Sequence, residues 1–342
     1  DSNGQKISMT FSYPTPTTID VFYTNSEGYL ITPEVLPYGE YSLVEVQAPY
    51  GYALDKTPVA FSVSLENAEK ENSLTIVKVE KQNTAQKGRI SVQKTGDIFT
   101  SVNMASSAYK DENGELVVNS TTYTPVFADG DLSGAVFQVI AVEDIVTLDG
   151  TTRAYAGDVV SEITTDENGY AETEPLYLGK YEVRETKAPY GYVLNNKPKD
   201  VELTYAGQEF EVRDTVNTAF ENEYQSVRIS LSKVMESDEL FGIYGKDYYT
   251  SVRFGLFTAE DITAADGTVI PADGMISEVS LDENMTAKFD VQIPFGRYYV
   301  QEIATDEHYV LSGEKYLVNF EYMGQDIQTV DIDCGQFVNL LK

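Results

Sequence analysis

The chain holds no tryptophan, one cysteine and one histidine in 342 residues, and each scarcity closes off a class of chemistry. A single thiol, Cys334, can make no intrachain disulfide and no multi-cysteine zinc site. It reads as a small residue in a strand. A single imidazole, His308, would have to serve any serine or cysteine triad, and no nucleophile elbow stands near it, so it reads as structural. Basic residues are also few: 24 Lys and Arg against 55 Asp and Glu give a formal charge of −31. That balance argues against nucleic acid and against an anionic membrane surface. No run of about 18 apolar residues occurs and no charged-apolar-small leader opens the chain, so neither a membrane span nor a signal peptide is expected in this sequence. Helical periodicity is nearly absent; "AEDI" at 259–262 is the one candidate for a helical turn.

What is present is a β pattern. Tyrosine, valine, isoleucine, threonine and phenylalanine alternate with polar residues, and "DENG" at 111–114, "DG" at 149–150, "DENG" at 166–169 and "ADG" at 265–267 mark the corners between runs. An apolar fraction of 42% over this length supports two or three domains with real cores. The acidic clusters do not follow the twelve-residue calcium loop, so no metal is expected and no cofactor either.

The chain repeats itself. Gly39-x-Tyr41-x-Leu43-x-Glu45, Gly179-x-Tyr181-x-Val183-x-Glu185 and Gly296-x-Tyr298-x-Val300-x-Glu302 align, each with a tyrosine seven residues after the glutamate: Tyr52, Tyr192 and Tyr309. An asparagine follows each glutamate at nearly constant distance, 38 residues to Asn83, 37 to Asn222 and 37 to Asn339. "RISVQK" ends at Lys94 and "RISLSK" at Lys233, each 11 residues past the preceding asparagine. Boundaries therefore fall near residues 87 and 226, giving a partial unit at 1–87, a complete one at 88–225 with a long insertion at about 96–133, and a complete one at 226–342.

Period-two alternation shows where the polar markers point. Lys94 is in phase with Ile90 and Val92, Glu185 with Tyr181 and Val183, and Asn222 with Phe220; Lys233, Glu302 and Asn339 repeat the arrangement. Each is on a core-facing set. A lone buried ammonium or carboxylate is strongly disfavoured, so the three should meet or lose their charge. Meeting would permit chemistry: a desolvated, neutral lysine is a nucleophile, the asparagine carbonyl is an electrophile, and a protonated glutamate can polarise the amide oxygen and pass a proton to departing ammonia. The product is an amide cross-link between side chains, with no cofactor.

"Tyr-x-x-x-Glu-Thr-x-Ala-Pro-x-Gly-Tyr" at 181–192 resembles the E-box of the Cna B-type, SpaA-like prealbumin-fold domains of Gram-positive surface pilins and adhesins. The resemblance covers essentially the whole chain. It implies an all-β fold of tandem immunoglobulin-like sandwiches placed end to end, and an autocatalytic isopeptide bond in each complete unit. Carried over, Lys94 joins Asn222 with Glu185 assisting, and Lys233 joins Asn339 with Glu302. It further implies a non-enzymatic, cell-wall-anchored extracellular stalk, a monomer in solution, with a host extracellular protein or glycan as the partner class. No "LPxTG"-like sorting signal or "YPK" pilin-linking motif supports polymerisation.

Two departures stand out. In the third unit Asp306 and His308 replace the proline and glycine of the Ala-Pro-x-Gly-Tyr phrase, and a histidine at a positive φ would be strained. In the first unit the matching lysine strand would lie before Asp1; Lys6, the only lysine upstream of Glu45, is out of phase with Ile7, Met9 and Phe11 and should face solvent. Glu45 and Asn83 are thus expected to be unpaired remnants. A carbohydrate-binding sandwich with exposed tyrosine platforms and a glycosidase with paired carboxylates remain as competing readings, the latter disfavoured by one glutamate per unit. The insertion, read as the longest irregular stretch, is the candidate contact surface.

Overall fold

The computed structural model describes residues 1–12, 14–64, 66, 69–71, 74–110 and 116–342. The alternation becomes strands almost throughout, and the one helical element among these residues is a 3-10 turn at Lys246–Tyr249. "AEDI" is not helical. Glu260 is held outward by the Arg297 guanidinium at 2.6 Å while Ile262 is buried at the start of a short strand, so the segment bends instead.

The second unit is a sandwich of two sheets. In one, Val136–Ala141 lies between Val159–Thr164 and Gly179–Lys187, with Lys199–Leu203 at the edge. In the other, the start of Ile90–Lys110 pairs antiparallel with Tyr170–Glu172 and parallel with Val216–Asn222. Ile90, Val92, Phe137, Val183 and Phe220 fill the space between them. Fully burying an aliphatic or phenyl side chain contributes about 1.5–3 kcal/mol, so this cluster holds the sheets together. The third unit repeats the plan: Arg253–Thr258 between Met275–Ser280 and Gly296–Ala304, then Lys315–Phe320, faces Ser226–Met235 flanked by Thr286–Asp290 and, in parallel, Thr329–Asn339. First and last strands of each complete unit are therefore parallel neighbours.

The first unit is thinner. Gly39–Leu43 pairs with Val59–Val63 and Met9–Phe11 with Thr17–Ile19, but residues 77–83, which match Val216–Asn222, form no strand. Leu43 is 36% exposed where its counterparts Val183 and Val300 are 0%, and Val44, Val46 and Ile31 are exposed as well. Lys6 faces solvent beside Asp20, as its phase requires.

The insertion corrects the sequence reading. It is not irregular: Ile90–Lys110 and Leu116–Asp131 continue past the sandwich as a two-stranded arm, paired from Thr95 opposite Asp131 out to Lys110 opposite Leu116. The "DENG" at 111–114 lies outside the described residues. The arm runs along the third unit, where the amides of Ala265 and Asp266 donate to the carbonyls of Phe99 and Thr100, the Val102 amide donates to Thr268 Oγ1, and Thr122 pairs with Met275. Those partners lie more than a hundred residues away in sequence, which is why local pattern does not reveal the pairing.

Candidate functional site

The sandwich plan puts the glutamate on one sheet and the lysine and asparagine on the other, all facing inward. In the second unit Phe137 and Glu185 are opposite each other in the first sheet, while Phe220 is opposite Lys94 in the second. Lys94, Glu185 and Asn222 are 0%, 2% and 2% exposed. Lys94 Nζ donates to Asn222 Oδ1 at 2.5 Å, Asn222 Nδ2 donates to Glu185 Oε1 at 3.0 Å, and Nζ lies 3.8 Å from the same Oε1. Burial brings the lysine down to about 8, against the opposing pull of the Glu185 and Glu221 charges. Burial also raises the Glu185 carboxyl, opposed by the backbone N–H of Asn195, which donates to Oε2 at 2.7 Å. Both shifts favour a neutral amine beside a protonated acid.

The third unit assembles the same constellation. Lys233 Nζ donates to Asn339 Oδ1 at 2.6 Å and lies 2.8 Å from Glu302 Oε1. Asn339 Nδ2 donates to both Glu302 oxygens at 2.9 Å and to Thr305 Oγ1 at 2.8 Å, and the Ser312 N–H donates to Oε2 at 3.0 Å. Desolvation lowers Lys233 as well. His308 escapes the strain raised by its replacement of glycine: Gly51 and Gly191 have φ of 84° and 93°, whereas the positive-φ non-glycine residues are Asp273 and Met285 alone among the described residues. It binds Asp306 through Nδ1 at 2.6 Å, away from the cluster.

In the first unit the acid and the amide meet, and among the described residues the hydrogen-bond partners of Glu45 and Asn83 include no lysine. Asn83 Nδ2 donates to Glu45 Oε1 and Oε2 at 2.8 and 2.7 Å, and the Asp55 N–H donates to Oε2 at 3.0 Å. Cys334 is buried in the third unit's core, and no exposed thiol chemistry attaches to it.

Sequence reasoning missed three supports. The first tyrosine of each repeat, Tyr41, Tyr181 and Tyr298, donates to the carbonyl four residues earlier and pins the loop that enters the glutamate strand. The second, Tyr192 and Tyr309, donates to the carbonyls of Asp97 and Glu236, each three residues past the lysine. Their recurrence was visible; their partners were not. The third is the backbone N–H ten residues after each glutamate, which carries no side-chain signal. One detail differs from the expected chemistry: the glutamate faces the amide nitrogen, and the oxygen faces the lysine.

The family model described as SpaA, prealbumin-like fold domain, matches residues 1–85 and 119–218, more than half of the chain. The trypsin-resistant surface T6 protein of Streptococcus pyogenes serotype M6 is 25% identical over 138 residues, covering 40% of this chain and 24% of that protein. The Bacillus anthracis TIE protein superposes with a TM-score of 0.53 at 21% identity, over 96% of this chain and 46% of that one. BcpA, the major pilin subunit of Bacillus cereus, aligns at 16% identity over 90% and 86% of the two chains, with a TM-score of 0.30. The chain thus spans about a quarter of the streptococcal protein and under half of the TIE protein.

Proposed function

This chain belongs to the SpaA prealbumin-like fold family, and from that premise we propose that it is a structural stalk of a bacterial surface adhesin or pilin-like protein, stiffened by two autocatalytic isopeptide bonds. One observation carries the reading: a lysine and an asparagine on parallel neighbouring strands and a glutamate on the facing sheet, all buried, lie within reach of one another twice.

The reaction follows from the contacts. Lys94 passes one proton to Glu185, the free amine attacks Cγ of Asn222, and the bond from Cγ to Nδ2 breaks as Glu185 hands that proton to the departing nitrogen. The carboxylate so regenerated takes the second proton from the attacking nitrogen and passes it to the ammonia. One lysine ammonium and one primary amide become one secondary amide and one ammonium ion. Lys233, Glu302 and Asn339 react in the same way. Fixing the partners on neighbouring strands gives effective molarities of about 10⁵–10⁸ M in good intramolecular cases, so neither turnover nor cofactor is involved. The division into units at 1–87, 88–225 and 226–342 belongs to the same proposal, as does a location on the outer surface of a Gram-positive cell.

The bond's use is mechanical. A pull entering at residue 88 and leaving at 225 would cross from Lys94 to Asn222, partners 128 residues apart in sequence, before it loaded the sheets. Intact mass spectrometry tests the proposal: the wild-type chain should lack two ammonia masses, and Glu185→Ala and Glu302→Ala should each restore one. A wild-type mass equal to that calculated from the sequence overturns it.

A further inference from the structure

Two glutamines outside the reactive clusters are buried with both the oxygen and the nitrogen of the side-chain amide hydrogen-bonded. Gln86 and Gln225 stand three residues after Asn83 and Asn222, at the two boundaries between units, and are 1% and 0% exposed. Gln86 Nε2 donates to the carbonyls of Gly207 and Phe210 at 2.8 and 2.7 Å, and its Oε1 accepts the Ala206 N–H at 2.8 Å. Gln225 does the same one unit later: Nε2 donates to Gly324 and Ile327 at 3.0 and 2.6 Å, and Oε1 accepts the Met323 N–H at 2.9 Å. A buried amide is tolerable only when its partners are all in place, so each glutamine demands one particular turn of the next unit.

That turn answers with a glutamine of its own. Gln208 and Gln325 accept the N–H groups of Ala48 and Ala188 on Oε1, both at 2.9 Å, and their carbonyls accept those of Leu54 and Leu194 at 2.8 and 2.9 Å. Tyr205 and Tyr322 donate to the carbonyls of Tyr52 and Tyr192, and the ring pairs Tyr50 with Tyr205 and Tyr190 with Tyr322 lie 4.7 and 4.8 Å apart. Both boundaries are therefore built from one repeated set of contacts.

We propose that these residues form a latch between units. The Ala-Pro-Tyr-Gly-Tyr turn and the buried glutamine after it are a docking surface, and its partner is the Gly-Gln turn of another unit of the same kind. The latch, rather than the shortness of the linker, sets the angle between neighbours. It deepens the stalk reading, on which only its purpose rests; its contacts do not require a cross-link.

The third unit shows the specificity. Thr305, Glu307 and His308 stand where Ala188, Tyr190 and Gly191 stand in the second unit, and Lys342 stands where Gln225 does. Thr305 turns its hydroxyl to Asn339, and Lys342 Nζ donates to the Glu307 carbonyl at 2.7 Å. This turn closes on itself and offers no glutamine, so the third unit accepts no Gly-Gln turn.

The boundary between the first and second units gives the cleaner test, because the arm also braces the other one. Gln86→Ala and Gln208→Ala, each in the full chain, should speed amide hydrogen exchange at Ala48 and Ala206 by roughly tenfold or more through local opening. Small-angle scattering should show a broadened distribution of long distances. Exchange at Val92 and Val183 and the loss of ammonia masses should stay as in the wild type, which separates a broken latch from an unfolded unit or a failed cross-link. Should Gln86→Ala unfold the second unit, Gln208→Ala on the turn side still decides. Wild-type exchange at Ala48 and Ala206 in that variant, or wild-type scattering that already fits freely jointed units, overturns the latch.

Discussion

Tyr192 donates its hydroxyl to the carbonyl of Asp97 at 2.7 Å, three residues past Lys94. The bond ties the turn after the glutamate strand to the strand that carries Lys94, and Tyr309 makes the matching bond to Glu236 at 2.8 Å. Neither hydroxyl touches the lysine, glutamate or asparagine of its cluster, so in the proposed reaction these are positioning residues. Tyr192→Phe should still lose its ammonia mass but more slowly, by several-fold, since a hydrogen bond of this kind is worth about 0.5–1.5 kcal/mol net. Time-resolved intact mass after refolding reads the rate; an unchanged rate removes the tyrosine from the account.

The pH dependence has a definite sign. Lys94 must be neutral to attack, and burial has brought it down to about 8 from 10.5. Chain unfolded before cross-linking and refolded at a series of pH values should lose ammonia from the second unit faster as pH first rises. The rate should climb as the amine is freed and fall again once the pair has also lost the proton that Glu185 hands to Nδ2, so the profile is a bell rather than a plateau. A rate that falls throughout the series contradicts a neutral amine as the attacking group.

Glu302→Gln keeps the size of the side chain and removes its capacity to exchange a proton. The third unit should fold without its bond and lose the restraint on a loop of 106 residues, worth about 4–5 kcal/mol in the chain-entropy model. Its melting temperature should fall by on the order of 15 °C. Glu185→Gln should cost the second unit a similar amount, because the loop of 128 residues differs only logarithmically. Calorimetry of the two variants reads both; equal melting temperatures in variant and wild type contradict the cross-link.

Gly51 and Gly191 occupy the same place in the repeated phrase, yet their replacements should differ. Both have positive φ, so alanine meets a backbone cost of roughly 1–2 kcal/mol at each. At Gly191 an added Cβ would also stand 2.9 Å from the Phe295 ring, whereas at Gly51 nothing lies within 4 Å. Gly191→Ala should therefore be the more destabilising and should loosen the second boundary, while His308→Gly, where φ is not positive, should gain nothing. Chemical denaturation of the three variants gives the order.

Much of this architecture is legible in the sequence alone. The in-phase placement of Lys94, Glu185 and Asn222 with Val92, Val183 and Phe220 was legible because strand alternation assigns a face to every residue once one face is apolar. Tyr192 and Tyr309 were visible as recurrences without a role, since their acceptors are carbonyls that any residue supplies. The N–H groups of Asn195 and Ser312 carry no side-chain signature at all. Gln86 and Gln225 share an offset from their asparagines, but a glutamine in a linker looks solvated until the turn around Gly207 or Gly324 is folded against it. The arm escapes a sequence reading for a related reason: Ser106, Ser107, Ser120 and Thr121 pair with one another across the ribbon, so no apolar alternation announces the strands.

The arm leaves the second sandwich just beyond Lys94 and returns well before Asn222, so it lies inside the loop that a Lys94–Asn222 bond closes. Tension that draws the third unit away would load its contacts with Ala265, Asp266 and Thr268, and tension that stays within the second unit would pass it by. Whatever the ribbon touches, it can go on touching with its own shape unaltered while the strands at its root are under strain, much as a signal arm keeps its angle when the cable beside it is drawn tight.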